Sequence, residues 1–194
     1  MVIRRPSMLM FMRTFIAIEI PDEAKREIAK VQDQLKDLDM SASWTRPEGI
    51  HLTLKFLGEV PEAKVPEIMD ALAITAGTGA LRIEIAGAGA FPNAKSPRVI
   101  WSGVAGEVEK LTTLQAAVED AMRKLGFEAE ARKFSPHLTL ARIKFPRRGD
   151  DWQNALERVK DAAVPGFLAD RLSLMKSELK REGAVYTEIG NIDL

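Results

Sequence analysis

The sequence predicts an α+β protein of two lobes, with largely antiparallel sheets and helices outside them. Two observations support this prediction. Strand-like and helix-like segments do not alternate regularly, as a parallel βαβ winding would require. The two halves of the chain also resemble each other loosely, because each carries helices and one copy of His-Leu-Thr-Leu, at 51–54 and 137–140. We therefore expect two pseudo-symmetric lobes that each present one histidine.

The first half of the chain begins with a strand and an amphipathic helix. The strand is a β-branched and aromatic run that stops at Pro21, and two acidic residues follow this proline in the first turn of the helix. Apolar residues then recur every three or four positions, as the buried face of a helix requires. The predicted elements are a strand at 13–20, a helix over 21–38, a short strand, a turn and the first motif strand within 42–60, a helix over 62–76, and strands at 81–93 and 97–104.

The second half opens with a long helix, which Gly126 closes as a C-terminal cap. The predicted elements are a helix over 106–127, a strand with the second motif at 135–145, a short helix around 151–161, and strands at 167–179 and 183–190. The Gly-Ala-Gly-Ala-Phe-Pro stretch at 87–92 is not a dinucleotide fingerprint, because Pro92 stands where that motif needs its third glycine. We predict a β-turn or a bulge there.

Length and composition limit the classes of protein and of site. A chain of 194 residues buries enough surface to fold without a disulfide or a structural metal. It has no cysteine, which excludes thiol nucleophiles and cysteine-ligated metal centres. Lys and Arg balance Asp and Glu at 28 each, so any contact with nucleic acid must depend on a local site.

The amino terminus resembles a signal peptide only superficially. Its apolar run, residues 8–12, is interrupted by Arg13, and no small-residue cleavage site follows. No stretch approaches the roughly 18 apolar residues of a membrane span. We therefore expect residues 1–12 to be a weakly ordered leader and residues 13–194 to form one bilobal domain. We also expect a cytoplasmic monomer that does not bind membranes.

The chain has two histidines, and each opens a copy of His-Leu-Thr-Leu. Because side chains alternate along a strand, His51 and Thr53 share one face while the two leucines point to the core. The same holds for His137 and Thr139. Imidazole exchanges protons near neutral pH, and a threonine hydroxyl can hold an anionic oxygen. Two facing pairs suit phosphodiester hydrolysis, in which one imidazole activates water and the other protonates the leaving oxygen.

Three other interpretations of the paired motif remain open at this point. A single histidine in a strand is more often structural, although the recurrence of the same neighbours favours a paired site. A zinc site needs three or four protein ligands, and neither motif carries a carboxylate at a suitable spacing. We therefore expect no metal and no cofactor. An internal duplication of strand sequence would explain the leucines but gives no reason to keep the histidines.

The residues together resemble the 2H phosphoesterases, a superfamily named for two His-x-Thr/Ser-x motifs on two lobes. Within it, the sequence is most similar to the RNA 2′,3′-cyclic phosphodiesterases, also labelled 2′-5′ RNA ligases. The resemblance extends over nearly the whole chain from Met12 and is carried by RTFIAIEIP, WTRPEGIHLTLKFLGEV, GAGAFPNAKSPRVIWSGV, LGFEAEARKFSPHLTLARIK and GAVYTEIG. It implies an α+β bilobal 2H phosphoesterase fold with the active site in the cleft between the lobes.

The resemblance also implies roles for particular residues. These are catalysis for His51 and His137, phosphate contact for Thr53 and Thr139, and nucleobase contact for Phe56 and Arg142. Strict alternation would place Phe56 and Arg142 on the face opposite the histidines, so their role requires a twist, a bulge or a strand end. From the residues alone, we would expect Phe56 in the core and Arg142 on a solvated rim.

The implied reaction is the metal-independent opening of a terminal 2′,3′-cyclic phosphate to a 2′-phosphomonoester. The bond to O3′ breaks, so one histidine protonates O3′ while the other activates water. We expect His51 as the acid and His137 as the base, although the near-symmetry of the motifs leaves this assignment open. The implied partners are RNA ends, such as those of tRNA fragments, or small cyclic nucleotides.

Two alternative functions and one undecided surface remain. The same site could join RNA ends by a 2′-5′ linkage, or the chain could be a nucleotide- or RNA-binding module without catalysis. The basic residues around the second motif are either a track for RNA or a solvated face. They include Arg147 and Arg148, where charge reversal would test an RNA track.

Overall fold

The computed structural model describes residues 10–181 and 183–194. They form nine strands and four α-helices, with short 3₁₀ helices at Pro47–Gly49, Glu62–Lys64 and Ala73–Thr75. In chain order the elements are β1 (Phe11–Glu19), α1 (Asp22–Lys36), β2 (Ser43–Trp44), β3 (His51–Pro61), α2 (Val65–Leu72), β4 (Leu81–Phe91), β5 (Val99–Gly106), α3 (Val108–Lys124), β6 (His137–Arg142), α4 (Trp152–Val159), β7 (Ala163–Ala169), β8 (Arg171–Lys180) and β9 (Gly183–Asp193). All strand pairs are antiparallel, so the predicted α+β class is confirmed.

Two sheets make up the two lobes, and their strand orders correspond. One sheet has the order β3-β1-β8-β9, and the other has β2-β6-β5-β4-β7. In each, the motif strand pairs with the strand that precedes a long helix, which is β1 in the first sheet and β5 in the second. The first sheet takes β8 and β9 from the second half of the chain, and the second sheet takes β2 and β4 from the first half. The predicted repeat is therefore present, but the chain crosses repeatedly between the sheets.

The long helices pack across this repeat. Helix α1 follows β1 of the first sheet but contacts β7 and α4, whereas α3 follows β5 of the second sheet but contacts β3 and α2. Their buried apolar faces, with Ile28 and Leu35 on α1 and Leu114 and Val118 on α3, belong to one continuous core. Each helix therefore ties the sheet of its own preceding strand to the other sheet.

One predicted strand is wrong. Residues 167–179 contain the end of β7 and most of β8, which are separated at Asp170. β7 lies at the edge of the second sheet, where Pro165 is tolerated, whereas β8 lies inside the first sheet. Apolar residues stand on both sides of the break, so the composition of this stretch gave little sign that the chain changes sheets there.

Two smaller predictions concern the start of the chain and the glycine-rich stretch. Residues 1–9 of the predicted leader lie outside the described residues, but Phe11 and Met12 belong to β1. The first strand therefore begins two residues before the predicted start. At Gly87 the pairing of β4 with β5 shifts register and φ is 72°, which confirms the predicted bulge. No helix in the described ranges is long and apolar enough to cross a membrane.

Candidate active site

Both motif strands begin at their histidines and bury the same positions. In β3 and β6 alike, the histidine and threonine are half-buried, the two leucines and the fifth residue are buried, and the sixth residue is exposed. The predicted alternation therefore holds over each tetrapeptide. The leucines anchor the strands in the core, so each histidine shares an open face with its threonine.

Each histidine is held by the backbone carbonyl two residues before it. Nδ1 of His51 lies 2.8 Å from the carbonyl oxygen of Gly49, and Nδ1 of His137 lies 2.7 Å from that of Ser135. A carbonyl oxygen only accepts, so Nδ1 carries the hydrogen in each neutral ring. Nε2 is then the basic nitrogen at both sites, and it can exchange a proton with a bound substrate.

A β-bulge interrupts each motif strand at the fourth residue of the motif. The pairing of β3 with β1 skips Leu54, and the pairing of β6 with β5 skips Leu140. One extra residue inverts the alternation beyond it, so Phe56 and Arg142 return to the face of the histidines. Phe56 is 57% exposed, which excludes the core position that the residue type alone suggested. The geometric condition for a shared base-binding face is therefore met on both strands.

His51 lies in an aromatic enclosure. Its ring stacks on Phe15, with centroids 4.5 Å apart and planes at 29°, and meets Tyr186 edge-on at 4.9 Å. Burial is the main cause that lowers the pKa of His51 to about 4; the hydrogen bond to Gly49 opposes this shift, and the positive charges of Lys25 and Arg142 add to it. His51 is therefore neutral at neutral pH in the free protein.

The charge of Arg142 also connects the two motifs. It belongs to the second motif strand, yet it lies close enough to His51 of the first to lower its pKa. Strands β3 and β6 are themselves in contact. The fold therefore brings the two motifs together, although they lie on different sheets.

His137 has different aromatic neighbours. The Phe91 ring is nearly perpendicular to its ring, with centroids 5.0 Å apart, and the Trp101 centroid lies 6.5 Å away. Trp101 stands opposite Gly89 in the β4–β5 ladder, where a Cβ atom would overlap its indole ring. The glycine on β4 therefore provides the space in which this aromatic wall of the second site lies.

An acidic pair lies beside the first site. Glu19 stands opposite His51 in the β1–β3 ladder and lines a cavity of about 420 Å³ together with Glu188. Burial, followed by the charge and hydrogen bond of Glu188, raises the pKa of Glu19, whereas the hydrogen bond from Ser173 chiefly lowers the pKa of Glu188. Negative charge therefore resides mainly on Glu188, and the cations Lys25 and Arg171 line the same cavity.

The sequence patterns do not predict the aromatic residues that lie beside the histidines. The strand prediction at 13–20 does not say which face Phe15 occupies, although its even spacing from Ala17 and Glu19 defines a face. Tyr186 is the chain's single tyrosine and lies within the GAVYTEIG segment. Its place opposite His51 depends on β9 joining the first sheet, which no local pattern shows.

The two arginines that were expected to test an RNA track differ. Arg147 forms ion pairs with Asp39 at 3.3 Å and Asp150 at 3.2 Å, so it connects segments of the protein. Arg148 is exposed on the same loop. The RNA track stays a prediction, and Arg148 is its better test. Within residues 10–181 and 183–194, no three metal-ligating side chains come together.

Two segments of the chain, residues 18–101 and 103–186, match the family model described as LigT-like phosphoesterase. Each segment contains one motif histidine and its threonine. Together they cover more than half of the chain, and they correspond to the loose repeat that the sequence shows.

Curated relatives and solved structures agree with this match. The chain is 34% identical over 181 residues to a protein of Methanothermobacter thermautotrophicus named RNA 2′,3′-cyclic phosphodiesterase, which covers 93% of this chain and 97% of the relative. A protein of Methanocaldococcus jannaschii with the same name is 35% identical, and the match covers 92% and 98% of the two chains.

The fold matches crystal structures of similar size. A Thermus thermophilus protein superposes with a TM-score of 0.78 at 28% identity, covering 94% of this chain and 98% of that one. Escherichia coli LigT in complex with 3′-AMP gives a TM-score of 0.75 at 23% identity, covering 95% and 99%. These findings confirm the predicted 2H fold and enzyme family, and the chain belongs to the LigT-like phosphoesterases.

Proposed function

We propose that this protein hydrolyses the terminal 2′,3′-cyclic phosphate of RNA to a 2′-phosphomonoester. The observation that carries the proposal is the pair of equivalent His-Thr faces on contacting strands, with Nδ1 of each histidine fixed by a carbonyl. The name shared by the curated relatives supports this substrate class. Family membership alone would support only phosphoester chemistry.

The phosphate lies between the two pairs in this proposal. Thr53 and Thr139 donate their hydroxyl hydrogens to its non-bridging oxygens, since each shares a face with its histidine. Lys25 and Arg142 add positive charge close to His51, which favours an anion there. The arrangement stabilises charge on the phosphoryl oxygens without requiring a metal.

The histidines divide the proton transfers. A neutral His51 has to take up a proton before it can act as an acid, and the negative charge of a bound phosphate raises its pKa in that direction. We assign His51 as the acid that then protonates O3′, and His137 as the base that takes a proton from the attacking water. An imidazole with a low intrinsic pKa is a strong proton donor once it is charged.

The nucleobase lies between Phe56 and Arg142. Both side chains are exposed on the face of the histidines because of the bulges. An aromatic ring and a guanidinium plane stack on any base, so this contact would tolerate different terminal nucleotides. RNA ends, including those of tRNA fragments, and small cyclic nucleotides would therefore all be substrates.

The test uses an oligonucleotide that ends in a 2′,3′-cyclic phosphate, incubated with the protein in EDTA. We expect a 2′-phosphomonoester, identified by ³¹P NMR against synthetic 2′- and 3′-phosphate standards. A 3′-phosphate would contradict the proposed bond cleavage, and activity that EDTA abolishes and zinc restores would contradict the two-histidine mechanism. A longer oligonucleotide as the main product would instead favour 2′-5′ joining.

The remaining alternatives are separated by simpler measurements. Tight binding of a nucleoside monophosphate without any turnover would favour a binding module. We also propose a monomer that works in the cytoplasm. Light scattering of the purified protein and the location of a tagged chain in its host test these two points.

A further inference from the structure

Each bulge leaves one leucine without a partner residue in the ladder, Leu54 in the pairing of β3 with β1 and Leu140 in that of β6 with β5. Leu54 and Leu140 are 4% and 0% exposed, so their carbonyl groups need partners within the protein. In both cases a glutamine side chain from a long helix is such a partner. Gln32 of α1 reaches Leu140, and Gln115 of α3 reaches Leu54.

Gln32 holds the second bulge tightly. Its side-chain nitrogen donates to the carbonyl of Leu140 at 2.9 Å and to that of Thr45 at 2.8 Å, which uses both of its hydrogens. The backbone N–H of Thr45 donates to the same Leu140 oxygen at 2.9 Å. Gln32 is fully buried, so water does not replace these bonds.

Gln115 occupies the corresponding place at the first bulge. Its side-chain nitrogen lies 3.4 Å from the Leu54 carbonyl oxygen, a longer contact than that of Gln32. Because β3 is the edge strand of its sheet, this carbonyl is not covered by another strand. Gln115 is half-buried, so the first bulge is held less firmly than the second.

Each of the two contacts joins a helix of one repeat to the motif strand of the other repeat. Helix α1 lies in the first matched segment and fixes the motif of the second, and α3 of the second segment fixes the motif of the first. The contacts join residues 108 and 61 positions apart. Nothing in the catalytic pairs themselves requires these glutamines, since neither touches a histidine or a threonine of the motifs in the hydrogen bonds described.

We propose that Gln32 and Gln115 are positioning residues for the nucleobase, acting through the bulges at Leu140 and Leu54. The bulges alone put Arg142 and Phe56 on the histidine face, so loosening a bulge moves the base contact while the histidine, three residues earlier, stays in its ladder. The inference rests on the proposed function for its substrate, and it adds a source of affinity for the base that lies outside the site.

The experiment compares a substrate that has a base with one that lacks it. Gln32→Met keeps length and volume but removes both donors, and Gln34→Met on the exposed face of α1 is the matched control. For cytidine 2′,3′-cyclic phosphate we expect KM to rise about tenfold in Gln32→Met, the size of one lost base stack. KM for methyl riboside 2′,3′-cyclic phosphate should not change, and Gln34→Met should behave as wild type.

A double-mutant cycle separates positioning from general destabilisation. If Gln32 acts through Arg142, then Arg142→Ala raises KM in the wild-type background but adds nothing in Gln32→Met. Additive effects, or equal loss on both substrates, would overturn the proposal. If circular dichroism shows Gln32→Met unfolded, the cycle of Gln115→Met with Phe56→Ala on the same two substrates decides it.

A failure of the proposed function is distinguishable from a failure of this inference. Wild-type protein that turns over neither substrate would reject the function only. Calorimetric binding of adenosine 2′-phosphate then replaces KM in the same cycle. About tenfold weaker binding in the glutamine variant, without a further loss on removal of its partner, supports the positioning role. Unchanged binding overturns it.

Discussion

The two His-Leu-Thr-Leu sites have the same backbone geometry but different neighbouring side chains. Both histidines begin a strand, donate Nδ1–H to the carbonyl two residues earlier, and are followed by a bulge at the fourth motif residue. His51, however, is stacked on Phe15 and covered by Tyr186, while Phe91 and Trp101 lie at steep angles to the ring of His137. Four identical residues therefore produce the same local geometry but not the same electrostatic environment.

We propose that this difference gives the two copies of the repeat different catalytic roles. In the proposed mechanism, burial keeps the imidazole of His51 neutral until a bound anion raises its pKa. The sixth residues of the two motif strands also differ, since Phe56 has an aromatic ring and Arg142 a guanidinium group. In this proposal, equivalent positions hold one phosphate, and non-equivalent neighbours assign the acid and base roles.

The largest expected effect comes from removing either histidine. His51→Ala and His137→Ala should each lower kcat by about a thousandfold, because each removes one proton transfer. A substrate with sulfur in place of O3′ then separates them, since a thiolate leaves without an acid. We expect this substrate to restore activity to His51→Ala but not to His137→Ala, measured by single-turnover kinetics.

The opposite rescue would exchange the roles of acid and base without changing the site. Equal rescue of both variants, or full activity of either on the natural substrate, would contradict a divided acid–base pair. Circular dichroism of both variants controls for folding.

A smaller effect should follow loss of the hydroxyls. Thr53→Val and Thr139→Val keep the shape of the side chain and remove one donor each, so each should lower kcat by about a hundredfold. If the two halves hold one phosphate symmetrically, the two losses will agree within a few-fold. A normal kcat in either variant would remove that threonine from the phosphate site.

The smallest expected effect tests the difference between the side chains that surround the two histidines. Since burial sets the pKa of His51 at about 4, kcat/KM for a small cyclic nucleotide should fall only as pH drops toward 4. Tyr186→Ala opens His51 to water, so its pKa rises toward 6.5 and this acid limb should move up by about one pH unit. Phe91→Ala, beside His137, is the matched control and should leave this limb in place.

An acid limb that stays put in Tyr186→Ala would show that the enclosure does not set the pKa of His51. The acid limb of the kcat/KM profile does not show which histidine is the acid and which is the base, because opposite protonation states of a histidine pair give the same pH profile. The sulfur substrate makes that assignment.

Much of each motif was predictable because its pattern is local. The inward leucines and the shared face of His51 and Thr53 follow from strand alternation over four residues. The sequence predicts only that Phe56 needs a twist, a bulge or a strand end to share the face of His51. Whether a bulge forms depends on how β3 pairs with β1. The break at Asp170 was missed for a similar reason, because the sheet that a strand joins is not written in its own residues.

The sequence by itself determined most of the elements, the paired histidines and, through its resemblance, the family. Tertiary structure decided which strands share a sheet, how Phe15 and Tyr186 enclose His51, and how Arg142 comes close enough to lower its pKa. The physical reason is the range of the interactions. Alternation and helix periodicity act between residues a few positions apart, whereas burial, charge and the Gln32–Leu140 bond act between residues that only folding brings together.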